Sequence, residues 1–471
     1  QSPALGHASS KAQQQSRRRG GKGSKKPGNP QAPQALCHKG YHEGWQPPGI
    51  WTVPDPGQGD PQPGGIRSEV LALRNARDSE ARQTAVENLK TALLTAAHAD
   101  EALDGMLLGM AAAQCAKHGL SELMGLLCAY ASCRLGNYGG REVAEMSSAA
   151  TKLGCGESGF LRAVVTICAA PAKGLFVSPR DVGMAASALV QSLKQDSGRG
   201  LKGNRDPQMR SSINYAAGLL GLAEAAIATL HDGVPVRDLA ELAHVFGHAL
   251  DTTPVSGEAL HERPAVRKVI RVAVQQLRLQ IHMASARDAT MTAGAIAAAW
   301  PHMEPEREAV FGPCLVDIAQ LARFRRRDFN PQDLSLLALA FAKTSTATRD
   351  LTDVLNEQVV ARVAEFSNKD LVLLLDAGTQ TEAWIRSLFV KTAAAAVSQC
   401  RLPEFPAQDL SLLAQSLALA GAAGKEPLQR LAEEAFRRQL CFFSSKDKAL
   451  LLWALAKVRS KEAALIRICV R

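Results

Sequence analysis

The amino-acid sequence predicts an all-α fold: an α-solenoid of about eight to nine helix-turn-helix repeats of roughly 38 residues, preceded by a disordered tail. Three observations carry that expectation. Only 5% of the 471 residues are aromatic while Ala and Leu are abundant, a composition that favours helix over strand. From about residue 67 the apolar positions recur at helical spacing between short polar or Gly/Pro turns. A short motif also returns at near-constant intervals, as repeat architectures require.

The first 65 residues are different material, with 10 of the 23 prolines, 12 of the 37 glycines and no acid before Glu43. Such a segment buries too little apolar surface to offset its ordering entropy, so residues 1–66 are expected to be disordered. Its early Arg and Lys suit either an organellar transit segment or a plain basic linker. The run from Arg17 to Lys26 suits weak nonspecific RNA contact. The chain opens on Gln1, so a preceding segment is expected. Of the net charge of +10, residues 1–68 supply six units through nine Lys/Arg and three acids, leaving +4 for the remainder. The repeats are therefore close to neutral, and charge alone does not make them a nucleic-acid binder. No window holds the ~18 uninterrupted apolar residues of a membrane span, so no membrane insertion is expected. The ten cysteines include no Cys-x-x-Cys pair and read as reduced, buried thiols of an intracellular protein, not as disulfides or a zinc site.

In the recurring motif an apolar residue is followed usually by Ser, Asn or Pro, then any residue, then Arg, Lys or Gln, then an acid. Copies occupy 138–142, 177–181, 234–238, 284–288, 329–333, 366–370, 405–409 and 443–447. The acids Asp333, Asp370, Asp409 and Asp447 lie 37, 39 and 38 residues apart, and Glu142 precedes Asp181 by 39; the middle intervals are 57, 50 and 45. Each copy is expected to start a helix. Ser178, Ser285, Asn330, Ser367 and Ser444 would cap it, the acid would occupy the third helical position, and Pro179 suits the first. Gly139, Pro235 and Pro406 depart from the cap pattern. The apolar residue before the cap is expected to pack on the one after the acid: Val177 on Val182, Phe329 on Leu334, Phe366 on Leu371, Phe405 on Leu410. Lys448 breaks that staple in the last copy.

Seven residues beyond the acids stand Ala149, Ala188, Val245, Ala295, Ala340, Ala377, Ser416 and Ala454. These mostly small side chains allow neighbouring helices to approach closely. A second amphipathic helix is expected after each first one, as over 349–364, 382–398 and 426–439. The chain thus divides into the tail, degenerate amino-terminal helical repeats over 67–136 with a worn copy near 100–120, and a regular array over 137–471. That array breaks off inside a repeat at 463–471, so a further module is expected beyond it.

Immediately before each acid stands a long donor: Arg141, Arg180, Arg237, Arg287, Gln332, Lys369, Gln408 and Lys446. Stacked repeats would align these eight at helix amino termini, where the helix dipole favours phosphate. Contact with RNA and plain solvation of the second helical position both account for the column. Lys194, Arg199, Lys202, Arg205 and Arg210 fall in the long interval between Asp181 and Asp238 and read as a flexible basic insertion, either a phosphate clamp or a solvated loop.

The segments Pro331-Gln332-Asp333-Leu334-Ser335-Leu336-Leu337 and Gln408-Asp409-Leu410-Ser411-Leu412-Leu413 carry a family resemblance, together with Leu450-Leu451-Leu452-Trp453-Ala454-Leu455-Ala456-Lys457. With their period they resemble octotricopeptide repeats and the helical repeats of FAST-kinase-like and RAP-domain proteins, over about 137–471. The resemblance implies an RNA-binding solenoid in a mitochondrion or plastid, acting in RNA processing, RNA stability, translation or ribosome assembly. Its partners would be single-stranded organellar RNA or ribosomal RNA, with ribonucleoprotein subunits. Two features depart from that family: no second helix carries Pro-Pro-Pro-Glu-Trp, and no RAP domain follows within the sequence. A protein-interaction scaffold of the HEAT or tetratricopeptide type, cytoplasmic or organellar, is the alternative, motivated by the near-neutral repeats and by only four Tyr and five Trp.

Other motifs carry less. His244 and His248 are four apart, but Val245 stands where a metalloprotease needs Glu. Gly198, Gly200 and Gly203 match a dinucleotide fingerprint without the strand it requires. Cys37, His38 and His42 cluster within the tail. No nucleophile elbow or paired carboxylate is found, so no enzymatic activity, cofactor or metal is expected.

Overall fold

The computed structural model describes residues 65–98, 103–155, 158–171, 174–199, 213–250, 260–346, 348–379, 402–419, 425–438 and 442–458. Among these the protein is all-helical, with no strand. Helices follow one another in touching pairs. The pairs are α1 (Ile66–Asn75) with α2 (Ser79–His98), α3 (Gly105–His118) with α4 (Ser121–Ser132), and α5 (Gly140–Leu153) with α6 (Ser158–Ala169). Next come α7 (Pro179–Arg199) with α8 (Tyr215–Thr229), α9 (Val236–Leu250) with α10 (Pro264–Leu279), and α11 (Ala286–Ala299) with α12 (Gly312–Phe324). Then α13 (Pro331–Thr344) meets α14 (Arg349–Ala361), and α15 (Asn368–Thr379) leads to α16 (Ala407–Leu419), α17 (Lys425–Arg437) and α18 (Ser445–Lys457).

Every first helix also touches the next first helix: α1 on α3, α3 on α5, then α7, α9, α11, α13, α15, α16 and α18 in turn. The second helices do likewise from α2 through α4, α6, α8, α10 and α12 to α14. The expected worn copy near 100–120 is α3, capped by Asp104, whose side chain accepts the Met106 amide.

Local chemistry explains where the first helices begin. Ser285 and Ser444 form full capping boxes with Asp288 and Asp447. Ser367 exchanges the same bonds with Asp370, while Asn330 and Ser178 accept the amides of Asp333 and Asp181. Such caps satisfy amides that a helix start leaves orphaned, at about 1 kcal/mol each. The apolar residue before the cap is buried at Phe329, Phe366 and Phe405, as are Leu334, Leu371 and Leu410. Val177 is a correction: it is 80% exposed, and Phe176, one residue earlier, is buried instead. The chain enters α7 with Phe176 turned inward, so the alternate neighbour faces water.

The predicted small column is buried at all eight positions, Ala149 to Ala454. A close approach falls beside it, where a Cβ added to Gly247 of α9 would sit 2.7 Å from the Ala295 carbonyl oxygen of α11. Of the expected second helices, α14 ends at Ala361 and continues as a 3-10 turn over Val363–Glu365, and α17 matches its expectation within two residues. The helix expected over 382–398 lies outside the described residues, as do residues 1–64 and 459–471.

A recurrent arginine ties the end of a second helix back to the start of the first helix of the same pair. Arg325, just past α12, donates to the carbonyls of Ala284 and His282, at 3.1 and 2.7 Å. Arg362, just past α14, donates to Phe329, and Arg438, just past α17, to Phe405 and Leu402. In each case the acceptors include the residue just before the cap of the preceding first helix. Arg438 is held in place by Glu434, which Arg437 also grips, and these guanidinium groups hold the Glu434 carboxyl down at about 2. Cys115, Cys168 and Cys314 are buried thiols, and burial pushes them up to about 12. Among the described residues no helix is long and apolar enough to cross a membrane.

The close approach of α9 and α11 is testable. Gly247→Ala is expected to lower the unfolding free energy by about 1–3 kcal/mol through overpacking, read as a lower denaturant midpoint with native helical circular dichroism. An unchanged midpoint would show that Ala295 yields without cost.

Candidate functional site

The eight donors Arg141, Arg180, Arg237, Arg287, Gln332, Lys369, Gln408 and Lys446 each occupy the second residue of a first helix, and all eight are exposed. Where the preceding cap and the acid at the third position turn back on each other, the second side chain is left outermost. Electrostatic neighbours show how these helix starts stand side by side. Glu241 of α9 feels Arg237 of its own helix together with Arg180 of α7 and Arg287 of α11; burial outweighs them and raises its carboxyl above the usual range. Burial likewise raises Asp238, against Arg180 and Arg237, and Asp333, against Arg287. Asp409 is raised by burial against Lys369. Arg141 is held charged first by its bond to Glu145 at 3.0 Å, and also by Asp181 of α7.

Each of these cations thus lies beside the acid of the next first helix: Arg141 by Asp181, Arg180 by Asp238, Arg287 by Asp333, Lys369 by Asp409. Within the motif, six cations and two amides stand with eight acids. The helix starts form a ribbon of alternating charge with outward donors, not a uniformly positive rail.

The face beyond that ribbon was not legible as a site from the motif. Four residues past the column, Met184, Met291, Leu336, Leu373, Leu412 and Leu450 are all partly exposed. Eleven past it, in the last turn, Lys152, Lys343 and Lys457 are exposed, joined by Lys194 on α7. Simple helical counting puts these on the face of the donor column, a signal the sequence contained. Lys194 also corrects the expected flexible insertion, because α7 runs on through Arg199; Lys202, Arg205 and Arg210 lie outside the described residues. Cys37, His38 and His42 lie outside them too.

His244 and His248 share this face on α9, half-buried, with ring centroids 4.5 Å apart in an edge-to-face contact. Burial holds both imidazoles below the usual histidine range, with Lys194 adding to the effect on each. His248, which also feels His244 and Lys343, is driven down to about 4. Near neutral pH the pair is therefore uncharged, and the His244 Nδ1 is buried without a hydrogen-bond partner. Among the described residues no three His, Cys, Asp or Glu side chains gather as a metal site. At the far end of the array Trp453 of α18 is 42% exposed, with the Lys457 ammonium 4.9 Å from its ring centroid.

The assembled face therefore offers donors at one end of each helix, ammonium groups at the other, and a partly apolar middle set with a histidine pair and a tryptophan. That combination can hold an anionic, partly apolar chain: the ends attract charge and the middle accepts flat or aliphatic groups. Comparison of the chain with protein-family models gives no match, and comparison with curated proteins gives none.

The depressed His248 sets a pH dependence. Its folded value lies below the unfolded one, so its contribution is intact above about pH 6.5 and is lost as pH falls toward 4. Between pH 7 and 4.5 the wild-type protein should lose about 2 kcal/mol more unfolding free energy than His248→Gln. Denaturant titrations at the two pH values measure this, and parallel losses in the two proteins would refute it.

Proposed function

We propose that the chain is an α-solenoid of eight to nine two-helix repeats that binds single-stranded RNA along the exposed face of its first helices. The observation that carries this reading is the row of eight outward donors at the starts of consecutively packed helices, matched by Lys152, Lys194, Lys343 and Lys457 at the opposite ends. A nucleic-acid backbone needs repeated donors and cations at regular spacing, and unstacked bases need a partly apolar surface beside them. In this reading Arg141, Arg180, Arg237, Arg287, Gln332, Lys369, Gln408 and Lys446 contact phosphate or sugar. The resemblance to octotricopeptide, FAST-kinase-like and RAP-domain repeats extends the proposal to organellar RNA processing, stability, translation or ribosome assembly, in a mitochondrion or plastid. No catalytic step, cofactor or metal belongs to it.

A second reading has its own support. Cations of the row lie near neighbouring carboxylates, and the row of Met and Leu side chains beside it is partly exposed. A scaffold gripping an extended peptide would use the same face with mixed charge.

The deciding experiment is RNA binding over a salt series by the full chain in which Arg17, Arg18, Arg19, Lys22, Lys25 and Lys26 are replaced by Gln, so that the tail does not mimic affinity. Adding Arg180→Ala, Arg237→Ala and Lys369→Ala should reduce the slope of log affinity against log salt by about 2, at about 0.7 for each phosphate no longer neutralised. Affinity at physiological salt should fall about tenfold or more. Absence of RNA binding at low salt by the tail-neutral chain would overturn the proposal and favour the scaffold.

A further inference from the structure

We propose that the cleft between α1 and α2 is a binding site for the guanidinium group of an arginine carried on a basic polypeptide segment. The two helices are joined by three residues, 76–78, and an open cleft of about 450 Å³ lies between them. Glu69 of α1, Asp78 at the turn and Glu80 of α2 line it, with Asn88 further along α2. No Lys or Arg side chain lines it, although Arg74, Arg77 and Arg82 stand on the same two helices and their link. Three acids therefore share one cleft with no cation among them. The site lies apart from the donor row, so the inference stands whether or not that row binds RNA.

Two of these acids have a local reason to be where they are. Asp78 caps α2, its Oδ1 accepting the Ala81 amide at 2.7 Å, and Glu80 sits in the first turn of the same helix. Both answer the positive end of the helix dipole. Glu69 stands at the end of the first turn of α1 and suits that dipole too, but an exposed acid would serve it equally well. Instead Glu69 is only 8% exposed, and among the described residues no hydrogen bond or ion pair reaches its side chain. A carboxyl group withdrawn from water without a donor is costly, and buried polar groups almost always have partners. An unsatisfied acid in the wall of an open cleft points to a partner that arrives from outside.

The chemistry of the walls selects that partner. Among the described residues no three His, Cys, Asp or Glu side chains gather as a metal site, so these acids are too widely set for one small ion. A guanidinium is planar and carries five N–H donors, so it meets several separate acceptors at once, whereas an ammonium is a point charge. Glu69, Glu80, the second carboxyl oxygen of Asp78 and the Asn88 amide oxygen are acceptors of the kind it needs. Between them Ala72, Ala81 and Ala85 supply small apolar surface. The methylene stem of an arginine can lie against that surface while its charged head reaches the acids.

The test is fluorescence anisotropy of a labelled peptide of alternating glycine and arginine, titrated at low salt into the tail-neutral full chain. Glu69→Gln should weaken binding about tenfold, the loss of one charge-assisted hydrogen-bonding partner. Glu80→Gln, at an exposed position, should weaken it too, and keeps the test decisive if Glu69→Gln fails to fold. Glu433→Gln, at an exposed acid of α17, should leave the affinity unchanged. The same peptide with citrulline for arginine keeps the shape, loses the charge and should not bind, and a glycine–lysine peptide should bind more weakly. Weaker binding of the arginine peptide by the wild-type chain than by the tail-neutral chain would name the chain's own basic run as the source of the arginine, and equal binding a separate polypeptide; either result supports the site. Absence of binding, or binding that Glu69→Gln and Glu80→Gln leave unchanged or that Glu433→Gln weakens equally, would overturn it.

Discussion

Close contact between consecutive first helices is the constraint on which the rest of this structure depends. Ala149, Ala188, Val245, Ala295, Ala340, Ala377, Ser416 and Ala454 are all buried, and a Cβ at Gly247 would meet the Ala295 backbone. Packing at near-crystalline density makes such contacts intolerant of added volume. They also set each helix start beside the next. The mutual influence of Arg180, Arg237 and Arg287 on Glu241 is a direct consequence, because three helices must be adjacent for one carboxylate to feel all three.

The arginine ties complement that contact from the other layer. Arg325, Arg362 and Arg438 end a second helix and satisfy carbonyls at the turn into the preceding first helix. Hydrogen bonds from a charged donor to carbonyls in a partly buried turn are stronger than neutral ones. A repeated cation can therefore be structural, and these three are committed to the fold. The donor column differs, since its side chains are exposed and most meet the neighbouring acids only at longer range. The distinction separates arginines bonded to backbone carbonyls from cations exposed at the helix starts.

Charge alone would have suggested a basic RNA-binding surface, but the helix starts balance almost every cation with a capping acid. In the proposed RNA-binding reading, attraction for the anionic chain rests on local geometry, the outward donors and the lysines of the last turn. The uncharged histidine pair reinforces this, since burial and the nearby Lys194 keep it from adding positive charge at neutral pH.

Local rules were enough to place most of this fold. Caps at Ser178, Ser285, Asn330, Ser367 and Ser444, the buried small column and the two-helix rhythm are set by interactions within a few residues, so they are written in the motif itself. The same rules failed at Val177, where a one-residue change in how the chain enters α7 exchanged it with Phe176, a choice made by the surrounding core. They also missed the arginine ties, although Arg325 and Arg362 each precede a pre-cap phenylalanine by four residues, because the carbonyls they reach lie 41 and 33 residues earlier, at the start of the same helix pair. What the sequence determined by itself is therefore where the motif helices start and which of their positions are buried, both products of short-range backbone and side-chain chemistry. Only the tertiary structure decided which cations are spent on carbonyls, which face neighbouring acids, and which side chains share one exposed face, since those outcomes depend on residues some 33 to 43 positions apart brought together by packing.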